Sequence, residues 1–192
     1  MIKGKMKKGI LILVLGIFLV LSFKVVYAAN CGGATKCNCG DTLTSSQTMW
    51  YDLNNCSGNG LIIGNSGITL DCNGHLIDGD NTGTDYGIYL YSKNRGTIKN
   101  CNVREFYVGI LLYLSSNNSL TSITTNNNSY DGIYLYLNSN NNILTSITAN
   151  SNTYGILLYL SSNNTLTDIE SNSNNYGIYL YLSSNNSLTD IT

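Results

Sequence analysis

The sequence predicts an all-β solenoid, a single-stranded parallel β-helix with coils of 22–23 residues, and three observations predict it. First, a Gly-Ile pair recurs at Gly87-Ile88, Gly109-Ile110, Gly132-Ile133, Gly155-Ile156 and Gly177-Ile178, with spacings of 22, 23, 23 and 22. The last two copies, residues 154–170 and 176–192, differ at three of 17 aligned positions. A unit with such a period cannot bury its apolar face until neighbours stack on it. Second, each unit opens with strict alternation: in residues 109–114, Ile110, Leu112 and Leu114 share one side, and Leu111 and Tyr113 the other. Third, no segment after residue 30 has the 3.6 period of an amphipathic helix, and the chain has no proline to interrupt a ladder.

Taken in order, residues 1–29 predict an export signal. Lys3, Lys5, Lys7 and Lys8 precede an apolar run from Gly9 to Phe23, and Val26-Tyr27-Ala28 offers small residues for cleavage. The run is 15 residues, short of the roughly 20 that span a bilayer, so cleavage is favoured over an uncleaved anchor formed by residues 9–29. The remainder is therefore expected to be secreted, periplasmic or on the cell surface, touching a membrane only through that segment if it is retained. Residues 30–60 predict a cysteine-containing N-terminal cap, and residues 61–192 the repeats. Six cysteines, all after the signal, favour disulfides in an oxidising compartment. Cys101 occupies an interior aliphatic position, and Cys72 lies just past the matching strand one coil earlier, which puts the two within bridging reach. Cys39 and Cys56 would tie the cap to the first coil. Cys37-x-Cys39 does not match a zinc-site spacing and His75 is the one histidine, so no metal or other cofactor is expected.

Within each repeat a second strand follows an Asn pair. Its apolar positions recur as Ile98, Leu120, Leu144, Leu166 and Leu188, then Cys101, Ile123, Ile147, Ile169 and Ile191. The pairs Asn117-Asn118, Asn140-Asn141, Asn163-Asn164 and Asn185-Asn186 mark the bends, since Asn tolerates the left-handed conformation. The chain stops at Ile191-Thr192, inside a repeat. Such an end leaves an open strand edge, so the expectation is either a piece of a longer protein or end-to-end association at that coil.

Residues 68–79 (Ile-Thr-Leu-Asp-Cys-Asn-Gly-His-Leu-Ile-Asp-Gly), followed by Tyr86-Gly-Ile-Tyr-Leu and Thr97-Ile-Lys-Asn-Cys101, resemble the opening coils of NosD-like right-handed parallel β-helix proteins. Upstream, Cys39-Gly-Asp-Thr-Leu and residues 52–63 are similar to the capping segment of secreted members, so the likeness covers residues 39–192. It implies a right-handed winding. The namesake subfamily is associated with copper-site maturation of nitrous-oxide reductase, but clustered soft ligands are lacking: beyond the signal there is one histidine and only Met49 among methionines.

Two constellations are candidates for function. Tyr91, Tyr113, Tyr136, Tyr159 and Tyr181 point outward, one per coil, and Tyr89, Leu111, Tyr134, Leu157 and Tyr179 form a second outward column. Two such columns make an apolar, hydroxyl-studded stripe that suits stacked sugar rings or a docked envelope protein; cross-strand stabilisation alone is the competing role. The second constellation is polar: Asp71, His75, Asp78, Asp80, Asp85, Lys93, Arg95, Lys99, Arg104 and Glu105. A carbohydrate-active lyase, hydrolase or epimerase would draw its acid and base from such a set, with Asp71, His75, Asp78, Asp80, Asp85 and Arg95 the candidates. Asp and Asn there also serve as bend residues, and no paired-carboxylate motif is recognisable. Five glycosylation sequons, at Asn55, Asn117, Asn127, Asn163 and Asn185, follow largely from the Asn bends.

Charge narrows the partners. After residue 29 there are five basic and eleven acidic residues, a formal −6, and residues 106–192 contain no Lys or Arg. Nucleic acid needs basic side chains to neutralise phosphates and is excluded. The expectation is an exported, non-catalytic surface or envelope protein contacting a glycan or protein through the tyrosine stripe.

Overall fold

A computed structural model describes residues 29–192; the predicted signal segment lies outside them but for its last residue. The chain is a right-handed parallel β-solenoid of about seven coils, with no helix among the described residues. One eight-stranded sheet runs through Asn30–Cys31, Asp41–Leu43, Leu61–Ile63, Tyr86–Tyr91, Val108–Tyr113, Asp131–Tyr136, Tyr154–Tyr159 and Tyr176–Tyr181. The regular part of a second sheet runs through Thr97–Arg104, Ser119–Thr125, Ile143–Thr148, Thr165–Glu170 and Ser187–Ile191. All pairings between these strands are parallel. The segment expected only to cap the helix already winds as coils, because Asn30–Cys31 pairs with Asp41–Leu43, and that strand with Leu61–Ile63.

In-register stacking turns the sequence period into interior ladders. Ile88, Ile110, Ile133, Ile156 and Ile178 are paired one above another, as are Leu90, Leu112, Leu135, Leu158 and Leu180. The opposite wall pairs Ile98, Leu120, Leu144, Leu166 and Leu188, and then Cys101, Ile123, Ile147, Ile169 and Ile191. Leu120 and Ile123 both face the core three residues apart because Ser122 between them sits at φ 54°, a left-handed corner that Asn100, Ser146, Asp168 and Asp190 repeat.

The polar corners are ladders too. Asn118, Asn142 and Asn164 are buried, and each Oδ1 accepts the backbone N–H of the coil before: Asn118 from Gly96 at 2.9 Å, Asn142 from Asn118 and Asn164 from Asn142 at 2.8 Å. Their Nδ2 groups donate to the next Asn Oδ1 at 3.1–3.2 Å. A buried amide paired on both sides avoids the cost of desolvation without a partner. Asn128, Asn152 and Asn174 repeat the device at another corner, and Ser115, Ser139, Ser161 and Ser183 at a third. Exposed Asn117, Asn141, Asn163 and Asn185 take the left-handed turn itself. In the middle coil the operative pair is therefore Asn141-Asn142, one residue later than the sequence suggested.

Leu114 corrects a second expectation. The strand ends at Tyr113, and Leu114 turns the corner at φ 53° half-exposed instead of continuing the row of Ile110 and Leu112. Ser115 takes the inward place, where its hydroxyl donates to the Tyr113 carbonyl at 3.0 Å. The Gly of each Gly-Ile pair answers a packing constraint: a Cβ on Gly132 would lie 2.6 Å from the Gly155 carbonyl oxygen and 3.0 Å from Asn152 Nδ2. Only glycine lets successive coils approach that closely.

Three disulfides pin the first coils: Cys31–Cys37, Cys39–Cys56 and Cys72–Cys101, with Cα separations of 5.0, 5.4 and 4.8 Å. Two are the pairs read from the sequence; the short Cys31–Cys37 loop is new.

Candidate functional site

The alternating strands push one tyrosine per coil outward at the end of each rung. Tyr91, Tyr113, Tyr136, Tyr159 and Tyr181 lie in register, with successive ring centroids 5.1, 5.1, 5.5 and 4.8 Å apart. Their exposure varies: Tyr91 and Tyr181 are open, while the three between them are half-buried. In the second column, Tyr89, Tyr134 and Tyr179 keep an exposed surface, whereas Leu111 and Leu157 are buried. These leucines point outward yet are roofed by the larger rings beside them, so the stripe carries tyrosine at its surface and leucine at its base.

Sequence reasoning missed a third column. Tyr107 stacks on Tyr130 at 5.1 Å with planes 5° apart, Tyr130 meets Tyr154 edge-on at 5.5 Å, and Tyr154 stacks on Tyr176 at 5.0 Å. Tyr86 joins the same side, 5.1 Å from Tyr89. The available signal was the tyrosine that precedes each of the five Gly-Ile pairs by one or two positions. The face is thus three columns wide.

Inside it lies a pocket of about 270 Å³ with a floor of Val108 and Leu111 and walls that include Tyr86, Tyr107, Tyr130 and Tyr134. Asp131 lines it. In register, Asp131 stands between Val108 and Tyr154, where the other coils have an apolar or aromatic residue. It is 0% exposed, and among the described residues neither carboxylate oxygen has a hydrogen-bond partner. Burial pushes its pKa up to about 8, because the apolar surroundings disfavour the charged form. Burial also raises the Tyr107 and Tyr134 hydroxyls, with the nearby Asp131 charge adding to the effect.

The polar cluster does not assemble into one site. Asp71 faces Lys99 at 3.2 Å and accepts from Asn100 Nδ2 and the Asn73 N–H, both at 2.9 Å. Burial works against ionisation there, but the hydrogen bonds from Asn100, Asn73 and Lys99 prevail and hold the carboxyl below its ordinary range. Asp78 accepts from Arg104 Nε at 2.8 Å. His75 Nδ1 lies 2.9 Å from Asp52 Oδ1, a partner outside the predicted set. Asp52 is held low first by the Leu76 N–H and then by His75. Asp80 closes a turn onto Thr82, and Arg95 and Glu105 occupy left-handed bends at φ 59° and 60°. Lys93 belongs to the same run of bends, where its N–H donates to Ser115 Oγ, while Asp85 contributes its backbone carbonyl to the Tyr107 N–H. Asp71 and Asp78 each meet a cation of the next coil rather than another carboxylate. Among the described residues, no group of three or more His, Cys, Asp or Glu could hold a metal. A wider cleft of about 710 Å³ opens against residues 38–40 and 51–59, with Asp52 as its charged group.

Fold and face together define a parallel β-solenoid carrying an aromatic flank. The chain belongs to the right-handed β-helix family, whose model, described as right handed beta helix region, matches residues 42–191. No curated protein matches it. Two solved structures do, a single and a double mutant of the periplasmic alginate epimerase AlgG, each with a TM-score of 0.53 and 18% identity. The match covers 82% of this chain and 45% of theirs, so the chain spans less than half of those proteins and shares their fold.

Proposed function

We propose that this is an exported, non-catalytic β-helix protein that binds an uncharged glycan along its tyrosine face. The observation that carries this reading is the unbroken column from Tyr91 to Tyr181, one ring per coil at 4.8–5.5 Å. That repeat is comparable to the length of one sugar unit in an extended chain, and the tilted rings present apolar carbon and hydroxyl groups along the column. The three disulfides fit an oxidising compartment outside the cytoplasm. Affinity electrophoresis through gels containing neutral or acidic polysaccharides tests the proposal. Retardation by a neutral polysaccharide, lost in the triple variant Tyr113→Ser, Tyr136→Ser, Tyr159→Ser, is the expected result. Unchanged mobility of the native protein in every gel overturns it.

A second reading is catalysis on a polysaccharide through the polar run between residues 71 and 105. It is favoured by the structural likeness to an alginate epimerase and by the 2.9 Å contact of His75 with Asp52. Against it, Asp71 and Asp78 are each paired with a cation, Lys99 and Arg104, and not with a second carboxylate. Turnover of a uronate polymer, abolished by His75→Ala, would move the assignment to this reading. Copper maturation, the role of the NosD namesake, has no clustered soft donors to support it.

A further inference from the structure

We infer that the pocket around Asp131 is a binding site for an organic ammonium group, with the tyrosine rings as an aromatic cage and the Asp131 carboxylate as the counter-charge. A buried carboxylate is retained against a large desolvation cost only where something offsets it. Among the described residues no donor or cation meets it: both oxygens are unpartnered and the neighbours Tyr107, Tyr130 and Tyr134 carry no positive charge, so the free site holds a proton that a bound ammonium would displace. Residues 106–192 hold no Lys or Arg at all.

The lining selects the ligand's chemistry. Tyrosine faces carry negative quadrupole density and attract a cation within about 6 Å of the ring centroid. Val108 and Leu111 make the floor apolar, which suits alkyl or ring carbons beside the charge and excludes a strongly hydrated metal ion. A volume of about 270 Å³ admits a trimethylammonium head or one amino-sugar ring. Entry requires the outer rings to turn aside, since the carboxylate is fully covered as it stands.

The position is also singular along the solenoid. Equivalent residues in the other coils are Tyr86, Val108, Tyr154 and Tyr176, so the acid stands where stacking alone calls for an apolar or aromatic side chain. This site does not depend on glycan stacking further along the face.

The test is calorimetric titration of the purified protein with tetramethylammonium, with a glucosamine tetramer, and with the N-acetylated tetramer as the uncharged control. Native protein should bind at least one ammonium probe at least tenfold more tightly than the control, and Asp131→Asn should remove that preference. Asp131→Asn should also fold, because an amide matches the protonated acid in size and lack of charge, and its thermal melt checks this. Binding of glucosamine oligomers but not tetramethylammonium supports an amino-sugar ligand; the reverse supports a small free ammonium. Equal affinity of native protein and Asp131→Asn for the ammonium probes overturns the site, as does absence of binding by both. A lost neutral-glycan interaction with ammonium binding intact would instead remove only the glycan reading of the face.

Discussion

The first coils and the later ones solve the same stacking problem with different chemistry. Up to Arg104 the strands are mostly two to four residues long, and their corners differ from coil to coil. That region holds all three disulfides and the ion pairs Asp71–Lys99 and Asp78–Arg104. Lys36 sits over the rings of Trp50 and Tyr51 at 5.8 and 5.5 Å. From Val108 onward the strands are five to seven residues long, and three corners are lined by rows of identical Asn or Ser side chains. Covalent bridges serve where successive coils are too dissimilar for ladders to form. Where they are alike, each residue's partner is its own copy one coil away, and no cross-link is needed.

The largest effect should come from breaking a polar ladder in the regular half. Asn142→Ala removes the acceptor of the Asn118 N–H and the donor to the Ser115 carbonyl, both buried. Leaving them unpartnered should cost about 2–5 kcal/mol in denaturant unfolding. Leu112→Ala should cost a similar amount, about 2–5 kcal/mol, by opening a cavity in the aliphatic ladder. If either variant melts like the native protein, the ladders are not what holds the later coils.

Replacing Cys72 and Cys101 together by Ala should cost about 2–4 kcal/mol, as expected for a loop of 29 residues. Hydrogen exchange should show the loss confined to the early coils, with the amides of residues 131–159 still protected. Loss of protection spread evenly along the chain would erase the distinction between the halves.

Asp131 makes stability depend on pH, and the sign follows from its raised pKa of about 8. Between about pH 4 and pH 8 the folded protein binds a proton that the unfolded chain has released, so stability falls as pH rises through that window. Above it the loss is complete, of the order of a few kcal/mol. Asp131→Asn should flatten this slope and raise the melting temperature at pH 8, and an unchanged slope would mean that the carboxylate is solvated.

The smallest effects belong to the outer rings. Ser at Tyr113, Tyr136 or Tyr159 should cost only about 0.2–1 kcal/mol each, because these side chains contribute cross-strand contacts and open no core cavity. A much larger loss would give the stripe a structural role.

The sequence by itself determined the period, the parallel stacking, the aliphatic ladders and two of the three disulfides. The physical reason is that in the regular coils residue i meets residue i+22 to i+24, so spatial neighbours are legible as a spacing in one dimension. Tertiary structure alone decided which positions leave that regularity. Leu114 reads as a core residue in any alternating pattern, yet the chain must turn there to close the coil. Leu111 reads as exposed, yet the rings beside it cover it. Asp131 carries no signal in the sequence that sets it apart, and the rings converging from adjacent coils exclude water from it. Burial depends on what neighbouring coils place overhead, and a repeat spacing does not carry that information.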